Sequence, residues 1–304
     1  MYNPADKISV AMASYNGEKY IADQLNSIIS QTHKHIEIVI TDDCSSDGTV
    51  DIIKGFQVHY PYISLYQNPI NKGITKAFEE SLSHCLGKYI AISDQDDVWE
   101  PDKLETLAAA IHTEDAAYAN SLFVDEYCQS LDKDFKSLMH LQSYFSGAPF
   151  LMGNCLPGHS ILMTHTFVQT LIPFPDGIMY DRWISFQAAA NNGIKYVDRL
   201  LVKYRQHATN VIGTGAFRTA APKKITTSNF NHKLHTLTIF YHSKIRDAQT
   251  RNILGRMLQL FNKKWSLARS IFFFRNMDTV LLIKHRSTLR KILYCLKMFF
   301  KANY

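Results

Sequence analysis

The sequence predicts an α/β fold, a Rossmann-like mixed sheet with helices on both faces, followed by a helical and basic C-terminal tail. Three observations predict it. Apolar runs of strand length alternate with amphipathic helical stretches through the first hundred residues, as strand–helix crossovers require. At 304 residues and 46% hydrophobic, the chain can bury a sizeable core. Charge is also placed unevenly. Of 33 Lys/Arg and 27 Asp/Glu, residues 263–304 hold ten of the bases and one acid, Asp278, which leaves 23 bases against 26 acids in residues 1–262. A mildly acidic body and a strongly basic tail are two different physical objects.

Taken in order, KISVAMAS (7–14) reads as a buried strand, and residues 17–31 place Ile21, Leu25, Ile28 and Ile29 on one helical face. HIEIVITDD (35–43) is a second strand alternating Ile36, Ile38 and Ile40, and DGTVDIIKGF is a helix opened by Asp47. YISLYQN is a shorter third strand. Ile74, Ala77, Phe78, Ser81, Leu82 and Cys85 then make an amphipathic helix, and KYIAISD (88–94) is a fourth strand. Beyond residue 105 the pattern is less regular. AAYANSLFVDE, GHSILMT and KYVDRLLVKYRQH read as strands, TFVQTLI and DRWISFQAAANN as helices, and a loop from Gly213 to about Asn231 precedes the tail.

Ligands of such sheets bind beyond the carboxyl ends of the strands. Three polar stretches fall there: Ser14-Tyr15-Asn16, Asp42-Asp43-Cys44-Ser45 and Asp94-Gln95-Asp96-Asp97. Crowded carboxylates repel one another, so Asp94 and Asp96 point to a cation, Mg²⁺ or Mn²⁺, because hard cations take oxygen ligands. Asp97 and Glu100 have another reading as capping and first-turn acids of a helix with Pro101 near its start. No Gly-rich phosphate loop follows the first strand, so a nucleotide has to be held by other means. Tyr15 is either a stacking platform for a base or a packed strand-end aromatic. Asp43 either accepts from a pyrimidine N–H or shapes a turn.

SVAMASYNGEKYIADQLNSIISQT, DDCSSDGT, NKGITKAFEESL and DQDDVWEPDKL, in that order, resemble the nucleotide-sugar half of the family 2 glycosyltransferases. YRQHATNVIG (204–213) resembles the segment closing the second half in rhamnosyltransferase-like bacterial members. The resemblance covers about residues 7–213. It implies a GT-A fold, a nucleoside-diphosphate sugar donor (UDP- or dTDP-linked), a divalent metal and inversion at the anomeric carbon. By the same resemblance Ser14, Tyr15 and Asp43 hold the nucleoside, Lys76 lies near the nucleotide, Asp94 near the ribose, and Asp96 ligates the metal. Ala13 stands where many relatives carry Pro or Thr. Asp181, in GIMYDRWISF, matches the position of the general base, its other reading being a first-turn acid favoured by the helix dipole. Trp183, one turn on, packs against the sugar or belongs to the core. His207 is either structural or a ligand of metal or phosphate, with Arg205 and Gln206 beside it, and His159 borders an acceptor pocket on family analogy. The implied organisation is a nucleotide-sugar half at 1–105, an acceptor and catalytic half of the same domain at 106–215, and a linker with basic amphipathic helices at 216–304.

Two other functions fit part of this pattern. A metal-dependent nucleotide-sugar phosphohydrolase needs the same carboxylates but no Asp181, and a non-catalytic sugar-nucleotide-binding module needs neither Asp181 nor YRQH. The N-terminus lacks a basic stretch leading into an apolar one, which argues against a secretory signal. Five scattered cysteines without CxxC pairs argue for reduced thiols and a cytoplasmic setting. In the tail, Trp265, Leu267, Ile271, Phe272, Phe273, Phe274, Leu281, Leu282, Leu293, Phe299 and Phe300 alternate with the ten bases. Arg269, Arg275 and Asp278 interrupt any spanning helix, so the expectation is an interfacial anchor on an anionic membrane, at the inner face, near a saccharide or lipid-linked acceptor. The alternative packs these aromatics on the body. Nothing in the sequence reads nucleic-acid bases.

Overall fold

The computed structural model describes residues 3–207, 227–261 and 265–300. The ATNVIG part of the closing motif, most of the 213–231 loop, and Lys263, Lys264 and Lys301 lie outside them. By its contacts the chain divides into two units. The first comprises residues 1–135, 156–174 and 194–207. The second comprises residues 136–155 and 175–193 together with the chain from 208 onward, so the segment 106–215 contributes to both.

The first unit is built on one mixed sheet. Its strands are β1 (Ile8–Ser14), β2 (Ile36–Asp42), β3 (Ile63–Gln67), β4 (Tyr89–Ser93), β5 (Val98–Trp99), β6 (Ala116–Val124), β7 (Ser130–Asp134), β8 (Ile161–Thr164) and β9 (Ile194–Arg205). Their spatial order is β3-β2-β1-β4-β8-β6-β9-β5, with β7 added to β6. β1 pairs in parallel with both β2 and β4, whereas β8 runs antiparallel to β4 and β6. The parallel part follows from the helical crossovers, α1 (Ile21–Ile29), α2 (Thr49–His59) and α3 (Ile74–Ser83). Side chains alternate across the sheet, and the helices use both faces. Ile8, Val10 and Met12 join Ile36, Ile38 and Ile40 in one core cluster with Leu25 and Ile28 of α1, Ile53 of α2 and Leu104 and Leu107 of α4 (Lys103–Ala110). On the other face Ser81 of α3 donates its hydroxyl to Thr41 at 2.9 Å, beside buried Phe78 and Leu82. Each such apolar side chain contributes about 1.5–3 kcal/mol on burial.

Helix starts fall later than the sequence pattern suggests. The helix expected from residue 17 begins at Ile21, because Tyr20 and Ile21 turn back to the Gly17 carbonyl first. The expected capping role of Asp97 is not seen. Asp97 is fully buried, and its Oδ1 accepts the Arg205 backbone N–H at 3.1 Å. Glu100 and Pro101 instead precede α4, whose cap residue, Asp102, makes no side-chain capping bond.

The second unit follows a four-residue turn, α5 (Phe135–Leu138), and includes α7 (Tyr180–Ala190); α6 (His165–Leu171) belongs to the first unit. Its further helices are Thr227–His242, Ala248–Phe261, Leu267–Arg275 and Thr288–Lys297, with the short turn Met277–Val280 among them. The tail's apolar side chains divide between core and surface. Phe273 and Leu281 are core, whereas Trp265, Leu267, Ile271, Phe274, Leu293 and Phe300 are exposed. One of the ten bases needs correcting: Arg269 is buried rather than a surface charge, donating to the carbonyls of Leu260 at 3.0 Å, Met298 at 2.6 Å and Phe299 at 3.2 Å. It ties down carbonyls at and just beyond two helix ends, the Phe299 carbonyl also accepting the Ser266 N–H. Among the described residues no helix is long and apolar enough to cross a membrane.

Candidate active site

The carboxyl ends of β2, β1 and β4 lie side by side, with Ser14 registered against Asp42 and Met12 against Ser93. The three polar stretches therefore converge. Gln95 binds the backbone of Tyr15 at both ends, its Oε1 accepting the Tyr15 N–H at 2.9 Å and its Nε2 donating to the Tyr15 carbonyl at 2.9 Å. The Tyr15 ring is 47% exposed, open to stack on a planar ligand. Ser14 donates to Asp42 at 3.0 Å and is buried.

Asp43 is buried too, and its carboxylate is already engaged. Asn68 donates to Oδ1 at 2.8 Å, the Lys72 N–H to Oδ1 at 2.9 Å and the Gly73 N–H to Oδ2 at 2.7 Å. Any contact with a base shares this carboxylate with the loop that leads into α3. Gly73 has φ of +87°, the left-handed region that favours glycine. Lys76, in the first turn of α3, pairs with Glu79 at 3.1 Å.

Beyond β4 the four-residue run Asp94–Asp97 divides in two. Asp94 and Asp97 converge with His159, their ligand atoms all lying within 4.8 Å of one another. His159 Nδ1 lies 3.7 Å from Asp94 Oδ2 and 3.4 Å from Asp97 Oδ2. Asp96 turns the other way, to His207 Nε2 at 2.8 Å, and the His207 ring packs against Tyr20 with centroids 4.7 Å apart. The predicted trio of Asp94, Asp96 and His207 is thus shared between two donor groups. His159 and Asp97 were not read as ligands from the sequence, since His159 follows Asp97 by 62 positions and nothing local connects them.

The buried group has a charge problem. Burial first, then the Asp96 and Asp94 charges, push the Asp97 carboxyl well above its ordinary value, and Asp97 Oδ2 has no hydrogen-bond partner. Burial likewise holds His159 below the usual histidine range, with Asp94 opposing, so the ring is neutral at pH 7. Its Nε2 is 2.9 Å from the Ser121 hydroxyl. When Nε2 donates there, the Nδ1 lone pair faces two carboxylates, and a cation among the three turns that repulsion into ligation. Two carboxylates and a neutral imidazole with an orphaned buried oxygen fit a divalent ion.

Other predicted contacts are placed differently. Arg205 is buried, and each guanidinium nitrogen is engaged: Nε by the Asp96 carbonyl at 2.8 Å, Nη1 by the Glu126 carbonyl at 2.7 Å and Nη2 by Asp23 at 2.9 Å. It braces the acidic turn. Gln206 donates to the Arg205 carbonyl at 3.2 Å, while its buried Oε1 has no partner. In the second unit, Asp181 lies in the first turn of α7; Asn154 donates to its Oδ2 at 3.0 Å and the Arg182 N–H to its Oδ1 at 2.6 Å. Trp183 is buried and stacked toward Phe240, centroids 6.4 Å apart, which is the core reading.

A mixed sheet with helices on both faces, carrying an acidic cluster and an open aromatic at adjoining strand ends, is an α/β protein of the GT-A type. Residues 9–169 match the model of glycosyl transferase family 2, and the chain belongs to that family. The dTDP-rhamnosyl transferase RfbG of Shigella flexneri is 30% identical over 232 residues, 70% of this chain and 78% of that one. Other curated glycosyltransferases match over only 39% and 42% of their own length, so the chain spans about two-fifths of those relatives. Among solved structures, S. aureus TarS 1-349 in complex with UDP-GlcNAc superposes with a TM-score of 0.61 at 18% identity, covering 98% of this chain and 82% of that one. The mannosyltransferase PcManGT of Pyrobaculum calidifontis, in complex with GDP-Man and Mn²⁺, gives 0.57 at 18% identity, covering 97% and 76%.

Proposed function

We propose that the protein is a metal-dependent, inverting glycosyltransferase. It moves a sugar from a UDP- or dTDP-sugar to a saccharide, carried on a lipid, in bacterial surface polysaccharide synthesis. The observation that carries the reading is the group of half-buried Asp94 with buried Asp97 and His159, next in sequence to Gln95, which holds the strand-end Tyr15. Tyr15 stacks on the base, and Ser14 and Asp43 shape the nucleoside end. Asp94 and Asp97 with His159, or Asp96 with His207, would hold Mg²⁺ or Mn²⁺. When bound, the ion neutralises charge developing on the leaving diphosphate. Asp181, oriented by Asn154 and the Arg182 N–H, takes the proton of the acceptor hydroxyl as it attacks the anomeric carbon. A rhamnosyl donor is favoured by the likeness to RfbG. An acceptor confined to a membrane gives the basic C-terminal segment its use, at the cytoplasmic face.

The test is a donor panel with purified protein, following nucleotide release with and without lipid-linked acceptor, with Mn²⁺ and then EDTA. Acceptor-dependent release that stops in EDTA is expected. Release that ignores the acceptor makes the protein a phosphohydrolase, and donor binding without release makes it a binding module.

A further inference from the structure

The second unit carries a cavity of about 530 Å³ that the transfer chemistry does not use. Lys284, His285, Arg286, Arg290 and Lys297 line it with Tyr294, and no acid is among the described residues of its wall. Its floor is held in place by backbone pairing. Met139 and Lys284 form an antiparallel bridge, the His140 N–H donates to the Ile283 carbonyl at 3.1 Å, and His285 Nε2 donates to the Lys136 carbonyl at 2.9 Å. Arg286 sits over the Tyr294 ring, 4.9 Å from its centroid, a cation–π contact that fixes the guanidinium. Asp278, the one acid of residues 263–304, is given to Lys291 at 2.7 Å.

These cations strain one another. Burial and then Arg286 hold the Lys284 ammonium below its ordinary value; Lys233 is lowered by burial and by Arg182, Lys284 and Arg286. Folding gains nothing by gathering like charges around a preformed cavity, whereas a phosphate takes several charge-assisted bonds from such a set.

A second observation says where that phosphate comes from. Leu289, Leu293 and Leu296 recur at spacings of four and three on the helix Thr288–Lys297 and are 64%, 48% and 57% exposed, an apolar stripe at helical period, and Phe300, 41% exposed and bridged to Trp265, follows just past the helix end. Leu293 also lines the cavity. Leu267, Ile271 and Phe274 repeat the pattern on the helix Leu267–Arg275, equally uncovered. Contiguous exposed apolar side chains rimmed by cations match an anionic bilayer, headgroup charge against the bases and acyl region against the stripe.

We propose that this cavity seats the phosphate of a lipid headgroup while the Leu289–Leu296 stripe lies in the interface of an anionic bilayer. The inference extends the membrane-face reading given above and does not depend on the chemistry of transfer. The test is co-sedimentation of the full chain with phosphatidylglycerol-containing and pure phosphatidylcholine vesicles. Wild type is compared with Arg290→Gln/Lys297→Gln and with Leu289→Ser/Leu296→Ser. Thermal midpoint and sugar-nucleotide binding serve as folding controls, since all four side chains are exposed. Wild type is expected to sediment with the anionic vesicles. The charge variant should lose about fivefold per removed cation, on the order of 25-fold for the pair, and inorganic pyrophosphate should compete. The leucine variant should lose binding as well. If wild type binds and the charge variant binds equally, the cavity assignment falls and the membrane-face reading stands. If wild type ignores anionic vesicles, both fall. Pyrophosphate binding without vesicle binding assigns the cavity to a soluble anion and overturns the lipid.

Discussion

Lys103 is a fully buried ammonium that donates to the His159 carbonyl at 2.7 Å and sits 3.2 Å from the centroid of the Trp99 ring. Burial lowers its pKa well below the ordinary value, and the Asp97 and Asp94 charges oppose that. Its charge is thus opposed by burial and supported by those carboxylates, and its bond to the His159 carbonyl supports the loop that carries His159. Lys103→Met keeps the length and removes the charge, leaving buried Asp97 uncompensated. Loss of one partner from a buried charge set costs on the order of 3 kcal/mol, so a clear fall in thermal midpoint in EDTA is expected, partly recovered by Mn²⁺. An unchanged midpoint would remove Lys103 from the electrostatics of the site. Asp181 gives the complementary case: Asp181→Asn keeps the shape, and transfer should drop by ~10²–10⁴-fold with donor affinity intact. A loss confined to donor binding would make Asp181 a nucleotide contact. Carboxylate crowding marks Asp94 and Asp96 in the sequence, whereas family position alone marks Asp181. Asp97 and Lys103 are not marked as site residues, and His159 is marked only as a neighbour of an acceptor pocket. Their partners come from β6, β9 and the turn before β8, and a sequence read locally assigns Asp97 to the nearest helix.

Elements were more legible than contacts. The strands β1 to β4 and their helices follow from periodicities of two and 3.6, and the structure places them within a few residues of expectation. Periodicity does not encode what a polar side chain does at an element's end. Asp43 shows the difference: the resemblance gave it to the nucleoside, while three donors from residues 68–73 give it a part in starting α3. The two roles separate in one variant. Asp43→Asn turns an acceptor-only group into a mixed one and weakens charge-assisted bonds to the Lys72 and Gly73 N–H groups, at about 1–3 kcal/mol. A lower thermal midpoint together with weaker donor binding is expected. Weaker donor binding at constant midpoint would mean that the carboxylate serves the ligand alone. Arg269 teaches the same lesson in the tail, where a base counted as surface charge instead holds three carbonyls.

At the scale of the whole molecule, stability toward acid rests on carboxylates held below their ordinary values. Burial alone would raise Glu37, but Lys7, the Ser9 hydroxyl and the Leu86 N–H outweigh it, so its pKa lies below the ordinary 4.5. Asp47, Glu114 and, in the second unit, Asp247 follow the same pattern, burial raising and hydrogen-bond donors prevailing. A carboxyl with a depressed folded pKa binds fewer protons in the folded state than in the unfolded one. Its stabilisation is complete above the unfolded value and is lost as pH falls through the folded one. Asp97, displaced the other way, contributes the opposite slope, so a bare midpoint-against-pH curve mixes both signs. A difference curve isolates one group. Glu37 joins the start of β1, β2 and the approach to β4 through Ser9 at 2.5 Å and Leu86 at 2.6 Å, and its side chain is 12% exposed, so solvent screens it little. Glu37→Gln is expected to lower stability by about 1–2 kcal/mol at pH 7. The gap between variant and wild type should stay constant down to about pH 5, narrow below 4.5 and close as the wild-type carboxyl protonates. The measurement is chemical denaturation at fixed pH steps from 7 to 3 in EDTA. A gap that persists unchanged at the acid end would mean that Glu37 stabilises these strand starts by packing rather than by its charge.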